Sequence, residues 1–484
     1  MIALRQKILS VLLLLLCVTM TTAAEEPLRI RNCRPKLPDA VHLQQRRVTR
    51  GTGDVNPYIG DRRQLLVLVS FKDRAFKESN PLTLWNRVFN EPGFSELDFK
   101  GSVHDYFYAQ SYGQFRLTFD IYYVALADSC SKYRSTYSDD DNSQYLVADV
   151  VDSLLARSID WTPYDWNGDG YVNQLLMLYA GKGMNDGGGS NSIWPHQYWM
   201  RWHQAALPVV PAGDHTLLVD TYCCVQELNG KGTYGVFGTI CHEYSHCFGF
   251  PDFYYGSAKN IGGWDLMDSG NYSGNGFCPP GYSAHERMLL GWMNPVELTE
   301  PADISQMQPL SKSPEAYLIR NDGYSREYYI VENRQQEGWD SYLPGRGIVV
   351  FHIDYDETIW LSGVPNTSTY KRYTIFPANN KTSVSYAGNW AYPYEGNDSL
   401  TNNSSPSATL WRDNTDGTQL MSKPLTALNI SDGLASFTFM GGTSSAIRPT
   451  ITDSSQPAKV LYRLGPVSIL RYPNGMVKKV IQQP

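Results

Sequence analysis

Several things are missing from this chain, and each absence narrows its function. It has no basic stripe outside its termini. Lys and Arg total 41 against 48 acidic residues, a formal charge of −7, which argues against a nucleic-acid partner. It has no Cys-x-x-Cys pair, so a cysteine zinc knuckle is not expected. Beyond the first 24 residues it has no apolar run long enough to span a bilayer, which speaks against stable membrane insertion. No internal repeat is visible, which leaves out solenoids and propellers. Histidine is scarce, nine in 484 residues, so two of them at a chemically useful spacing stand out.

What is present is globular. The residues are 42% hydrophobic and 18% charged, enough to bury a sizeable core in two or three domains. At the start, Arg5 and Lys7 precede an apolar run from Ile8 to Met20, and Thr22-Ala23-Ala24 follows. This is the charged, apolar and small-residue order of a secretory signal peptide, expected over 1–24. Cys17 follows three leucines rather than the small residues of a lipid-anchoring signal. The protein is therefore expected to be secreted or displayed at the cell surface. Removal of 1–24 leaves seven cysteines, an odd number, so at least one thiol has no disulfide partner within the chain. Residues 25–60 are polar and rich in Arg and Pro, with the basic stretch Arg46-Arg47-Val48-Thr49-Arg50. They read as a propeptide or a linker, and equally as a disordered arm.

The periodicity predicts strands over 65–71, 116–124 and 174–180, and a helix over 145–156. A second helix is expected over 235–248, closed by Gly249. From about 296 helical spacing fades. Short alternating runs at 328–332 and 348–353 are broken by Gly, Pro, Asn and Ser, with a loop at 401–407 and a last strand at 435–440. The expected architecture is α+β. A mixed twisted sheet with a metal-bearing helix would occupy 61–295 and a β-rich domain 296–441. A tail over 442–484 carries a hairpin-like pattern at 468–481.

His242 and His246 are four residues apart, which on a helix puts both on one face. Two neutral imidazoles there can grip one Zn²⁺. Glu243 follows the first of them and can take the proton of a metal-activated water. A surface helix with two solvated histidines is the plainer alternative. The apolar, small-residue flank Tyr234-Gly235-Val236-Phe237-Gly238-Thr239-Ile240 argues against it, because buried His and Glu without a partner are costly. Gly249 permits a sharp exit from the helix and Pro251 prevents its resumption. Asp252 then falls ten residues after His242, the third-ligand position of the pattern His-Glu-x-x-His-x-x-Gly-x-x-His. Further on, Gly262-Gly263-Trp264-Asp265-Leu266-Met267-Asp268-Ser269-Gly270 sets Met267 in a Gly-bounded turn, the expected Met-turn under the metal ligands. Core filling is the bland reading of the same methionine.

With these segments the chain resembles the immune inhibitor A family of metallopeptidases. The resemblance runs over roughly 63–440. It includes Gly101-Ser102-Val103-His104-Asp105-Tyr106-Phe107-Tyr108, Ile193-Trp194-Pro195-His196, Gly281-Tyr282-Ser283-Ala284-His285-Glu286-Arg287 and Glu332-Asn333-Arg334-Gln335. It implies an exported zinc endopeptidase made with a propeptide and acting on protein or peptide substrates, on a metzincin-like fold. Carried over by position, His242, His246 and Asp252 would be zinc ligands, Glu243 the catalytic acid/base and Met267 the Met-turn residue. Cys241 and Cys247, beside the histidines, are departures; each reads as a core thiol or as half of a local pair.

Other candidates are independent of this site. Asp165, Asn167, Asp169, Tyr171 and Asn173 occupy positions 1, 3, 5, 7 and 9 of a calcium-loop pattern with Gly170 at position 6. Position 12 is Leu176, so a full EF-hand is excluded; a shorter calcium loop and an ion-free polar turn both remain. Cys33 in the expected propeptide is a candidate latency thiolate for the open zinc position, or an ordinary cysteine. Tyr272 is a candidate transition-state donor. His196, His203 and His285 are candidate substrate contacts or structural hydrogen-bonders. His352 and Glu332 are alternatives to Asp252 as third ligand. Two rival functions stand beside proteolysis: a catalytically inactive extracellular binding protein or adhesin on the same fold, and a zinc amidase acting on cell-wall peptides. Nothing in the sequence sets an oligomeric state.

Overall fold

The computed structural model describes residues 56–135, 142–203, 205–256 and 258–443, and the backbone of three strands between 459 and 481. The expected signal peptide, nearly all of the 25–60 segment and Cys33 lie outside the described residues.

Among the described residues through 228 there are eight strands: β1 (Gly60–Ser70), β2 (Phe115–Ala125), β3 (Tyr171–Val172), β4 (Leu175–Lys182), β5 (His196–Trp199), β6 (Val209–Ala212), β7 (His215–Val219) and β8 (Thr221–Leu228). Five of them form a sheet in the order β2-β1-β4-β8-β5. The first four are parallel, and β5 runs antiparallel along β8 at the outer edge. A parallel sheet is covered on both faces, so its inner strands read as unbroken apolar runs. That is why 65–71 and 174–180 were legible as strands.

Successive side chains point to opposite faces. Leu66 and Leu68 of β1, with Leu176 and Leu178 of β4, enter one apolar cluster. Leu65, Val67 and Val69, with Leu175 and Met177, enter another. Helices α1 (Pro81–Asn90) and α2 (Val103–Gln110) pack into the first cluster, and α3 (Ser143–Leu155) into the second. α2 starts in a capping box in which Ser102 and Asp105 satisfy each other's backbone N–H.

Helix α4 (Phe237–Ser245) lies on the α1/α2 face, through Phe237, Ile240, Cys241 and Tyr244. It begins two residues later than the spacing predicts. Its last turn, His246–Phe248, tightens to a 3₁₀ form, and Gly249 ends it at φ 93°. Gly235 and Gly238 lie against the backbone of 271–276 at distances that a Cβ would not tolerate. A Cβ on Gly235 would meet Asn275 O at 2.4 Å. α5 (Ala284–Leu289) follows, again with a capping box, between Ser283 and Glu286.

Residues 296–439 hold eight strands, β9 (Val296–Glu297), β10 (Ala302–Met307), β11 (Ala316–Arg320), β12 (Glu327–Arg334), β13 (Gly347–Asp354), β14 (Tyr373–Ile375), β15 (Leu425–Ser431) and β16 (Leu434–Phe439), and the short helix α6 (Glu357–Leu361). They form two sheets, β14-β13-β12-β11-β9 and β10-β16-β15. Tyr317, Ile319, Tyr329, Val331 and Val350 face the smaller sheet through Ile304, Phe437 and Phe439. The opposite face, with Leu318, Ile330, Val349, Phe351 and Tyr373, joins the cluster that holds α4. The apolar cluster around α4 thus continues past residue 295. Beyond β16, Val467–Arg471 and Val477–Ile481 pair antiparallel where a hairpin was expected, and Lys459–Leu464 adds a third strand that the sequence pattern did not announce.

Candidate metal centre

His242 and His246 are one helical turn apart, on α4 and in the 3₁₀ turn that continues it, and both are buried. Each ring is held by its Nδ1. His242 Nδ1 lies 2.8 Å from Leu266 O, and His246 Nδ1 lies 2.7 Å from Phe250 O. A carbonyl only accepts, so both Nδ1 atoms carry hydrogen, and in a neutral ring Nε2 then presents its lone pair. Gly249 in the left-handed region turns the chain back, which places Phe250 O against His246 and delivers Asp252 to the same point. Asp252 Oδ1 is 3.1 Å from His242 Nε2 and 3.4 Å from His246 Nε2.

The donor set fits a divalent cation. The three ligand atoms lie within 4.8 Å of one another, all buried, the one such His/Cys/Asp/Glu group among the described residues. Two imidazole lone pairs facing a carboxylate repel unless positive charge lies among them. In the metal-free protein a proton supplies it. Burial pulls the His242 pKa down, but the Asp252 hydrogen bond and the charges of Glu243 and Asp252 outweigh burial and hold it up at about 9. Burial pushes Asp252 up, yet His246 and His242 outweigh it and hold this carboxyl below the usual range. Glu243 is 1% exposed, with Oε2 3.8 Å from His246 Nε2. It stands beside the cluster rather than within it.

Met267 is fully buried in a tight turn. Its N–H donates to Asp265 Oδ1 at 2.8 Å, and its carbonyl accepts from Phe253 N at 2.9 Å. The turn is thus tied to the residue next to Asp252, while its neighbour Leu266 holds His242. Tyr272 is half-buried in the 270–276 segment that packs on α4. The thiol of Cys241 is buried and its pKa pushed well up, as for a core thiol; Cys247 is half-buried.

The remaining candidates lie apart from this cluster. His352 Nε2 is 2.7 Å from Glu327 Oε1, and Glu332 accepts from Ala284 N and Arg334, so neither joins the histidine pair. His196 and His203 both reach the Tyr222 hydroxyl, at 3.2 and 2.8 Å, in a buried network with Ser143. His285 is buried among Tyr328, Tyr355, Trp360 and Tyr373, and burial pulls its pKa to about 3, so it is neutral. Asp165, Asn167, Asp169, Tyr171 and Asn173 gather in one turn. Asp165 accepts from Gly168, Asp169 and Gly170 N, Asp169 from Tyr171 N, and Asn173 from Trp166 N.

Sequence reasoning missed a buried ion network at the junction with the β-rich segment. Arg334 donates to both Asp340 oxygens at 2.8 and 2.9 Å, to Glu332 at 3.0 Å and to Gly281 O at 3.0 Å. Only the run Glu332-Asn333-Arg334-Gln335 hinted at it. Tyr373 and Asn366, which pack around Phe253, carried no signal at all.

Immune inhibitor A of Bacillus thuringiensis subsp. alesti is 28% identical to this chain over 190 residues, 32% of this chain and 26% of that protein. The match thus spans about a quarter of the length of that relative. The family described as immune inhibitor A peptidase M6, catalytic domain, matches residues 68–290, a stretch that contains the whole His242–Asp252 cluster and the Met267 turn. Residues 68–290 of this chain are thus similar to the catalytic domain of the immune inhibitor A peptidases.

Proposed function

We propose that the protein is an exported zinc endopeptidase of metzincin-like architecture, with His242, His246 and Asp252 as metal ligands and Glu243 as the proton-transfer group. The observation that carries this reading is the convergence of His242 Nε2, His246 Nε2 and Asp252 Oδ1, each ring locked through Nδ1, with Glu243 alongside. The signal-like N-terminus supports export and protein substrates outside the cell.

Zinc, when bound, supplies a cation that acidifies water and polarises the scissile carbonyl. Asp252 makes the ligand set one unit less positive than three histidines would, which leaves more of the deprotonation to a protein base. Glu243 fills that role. Its carboxylate takes the proton of the attacking water as the C–O bond forms, then gives that proton to the departing amine as the C–N bond breaks. An extended substrate is proposed to pair with a sheet edge. Tyr272, on the segment packed against α4, is proposed to donate to the developing oxyanion, and Met267 to form the floor under the ligands. Cys33 is proposed as the latency thiolate, and 25–60 as the segment removed on activation. We extend the proposal to calcium in the 165–173 turn, because five oxygen-bearing residues gather there; a calcium titration that leaves the thermal transition unmoved removes it.

The deciding experiment combines metal analysis with casein cleavage. The processed protein should hold one zinc per chain, and Glu243→Gln should lose at least a hundredfold in turnover while keeping its metal. A metal-free wild type, or a fully active Glu243→Gln, defeats the reading.

A further inference from the structure

Tyr373 comes from β14, outside the matched 68–290 stretch, and its side chain is completely buried. Its hydroxyl donates to Asp265 Oδ2 at 2.8 Å and lies 2.9 Å from Ser283 Oγ. The other oxygen of Asp265 holds Met267 N at 2.8 Å, and Leu266, between the two, gives its carbonyl to His242 Nδ1 at 2.8 Å. On its other side the Tyr373 ring stacks on Phe253, with centroids 3.9 Å apart and planes 20° apart. Phe253 is the residue after Asp252. Its carbonyl accepts from Asn366 Nδ2 at 2.8 Å, and Asn366 Oδ1 accepts from Tyr373 N at 3.1 Å.

One side chain therefore meets side chains from both segments that orient the proposed ligands: Asp265 in the turn whose carbonyl sets His242, and Phe253, which follows Asp252. We infer that Tyr373, assisted by Asn366, is a positioning residue for the metal site, through which the β-rich segment sets metal affinity. The inference rests on the metal reading given above. The physical argument is one of over-determination. A ligand's ring direction is set by what its second nitrogen binds, and that carbonyl is only as fixed as its own turn. Asp265 fixes the turn, and the Tyr373 hydroxyl fixes the rotamer of Asp265. Core packing alone would need the ring but not the hydroxyl.

Tyr373→Phe keeps the ring on Phe253 and removes the hydroxyl's contacts with Asp265 and Ser283. Direct partners of ligating histidines change metal affinity by roughly 10–100-fold; Tyr373 acts two hydrogen bonds further out, so a loss at the low end, about tenfold, is expected. The measurements are Zn²⁺ affinity by chelator competition, per folded molecule, and the visible spectrum of the Co²⁺-substituted full-length processed protein. Tyr392→Phe, a buried tyrosine of the same segment outside this relay, serves as control and should bind zinc like wild type. Asn366→Ser provides a second variant should Tyr373→Phe not accumulate folded. An altered cobalt spectrum with weakened zinc binding supports the inference. Zinc affinity and cobalt spectrum unchanged in the folded variant overturn it, as does a lowered thermal midpoint with unchanged affinity. A wild type that takes up no Zn²⁺ brings down the metal reading itself, a result visible before any variant is compared.

Discussion

Gly238 puts two opposing effects on one residue. It sits inside α4, one turn before His242, and replacing a helix-interior glycine by alanine ordinarily stabilises by about 1 kcal/mol. Here the added Cβ would fall 2.0 Å from Asn271 O and 2.7 Å from Asn271 C. Both are backbone atoms, so no side-chain rotation relieves the contact. Reaching the 3.0 Å at which real contacts begin requires the helix and the 270–276 segment to separate by about 1 Å. Overpacking of this kind costs about 1–3 kcal/mol or more, so the clash outweighs the helix preference. A 2.0 Å approach to backbone atoms belongs at the upper end of that range, so Gly238→Ala should lose about 2 kcal/mol net, and its metal-free thermal midpoint should fall by a few degrees. The separation also moves His242 against Leu266 O, so zinc affinity should drop with stability. Differential scanning calorimetry with chelator, then with zinc, tests both effects. A Gly238→Ala protein as stable as wild type, or more so, would refute the steric argument.

Breaking the Arg334 network should cost more: Arg334→Leu leaves Asp340 and Glu332 buried without their cation, with an expected loss of about 3–5 kcal/mol in urea unfolding. Asp268 is buried and its pKa is held up at about 6 by that burial, against backbone N–H donors that lower it. A raised folded pKa stabilises fully below the unfolded value and ceases to do so as pH rises through about 6. Asp268→Asn should therefore flatten part of the stability loss between pH 4 and 6; Asp265, also held near 6, keeps the rest. Zinc must displace the proton that His242 carries in the metal-free protein, where, against burial, Asp252 and Glu243 hold its pKa up at about 9. Apparent affinity should thus rise about tenfold per pH unit from pH 6 to 8 and level off toward 9. Chelator competition across that range measures it, and a flat profile contradicts the proton–metal exchange.

How much was legible depends on how far apart in sequence the cooperating residues lie. His242, Glu243, His246, Gly249 and Asp252 fall within eleven positions, so helical spacing and the Gly-Pro exit put them together before any tertiary contact is known. β1 and β4 were legible because burial on both faces writes an apolar run. The partners that orient the site leave no such trace. Tyr373 and Asn366 meet Phe253 only because β14 lies beside β13 on the face that joins the α4 cluster, and neither strand register nor sheet-to-helix docking has a local pattern. Glu332 and Arg334, two charges continuing the face begun by Tyr328 and Ile330, could have been noticed as a buried pair, a signal that does not name Asp340. The Met267 turn lies between the two cases. Its residue types were readable, but its work is done through main-chain groups: Leu266 O toward His242, and Met267 O toward Phe253 N. Main-chain bonds are indifferent to side-chain identity, so sequence alone states which atoms can bind a metal and stays silent on what aims them. The aim comes from carbonyls nearby in the chain, Leu266 O and Phe250 O, and from Tyr373 and Asn366, more than a hundred positions beyond the segments they brace.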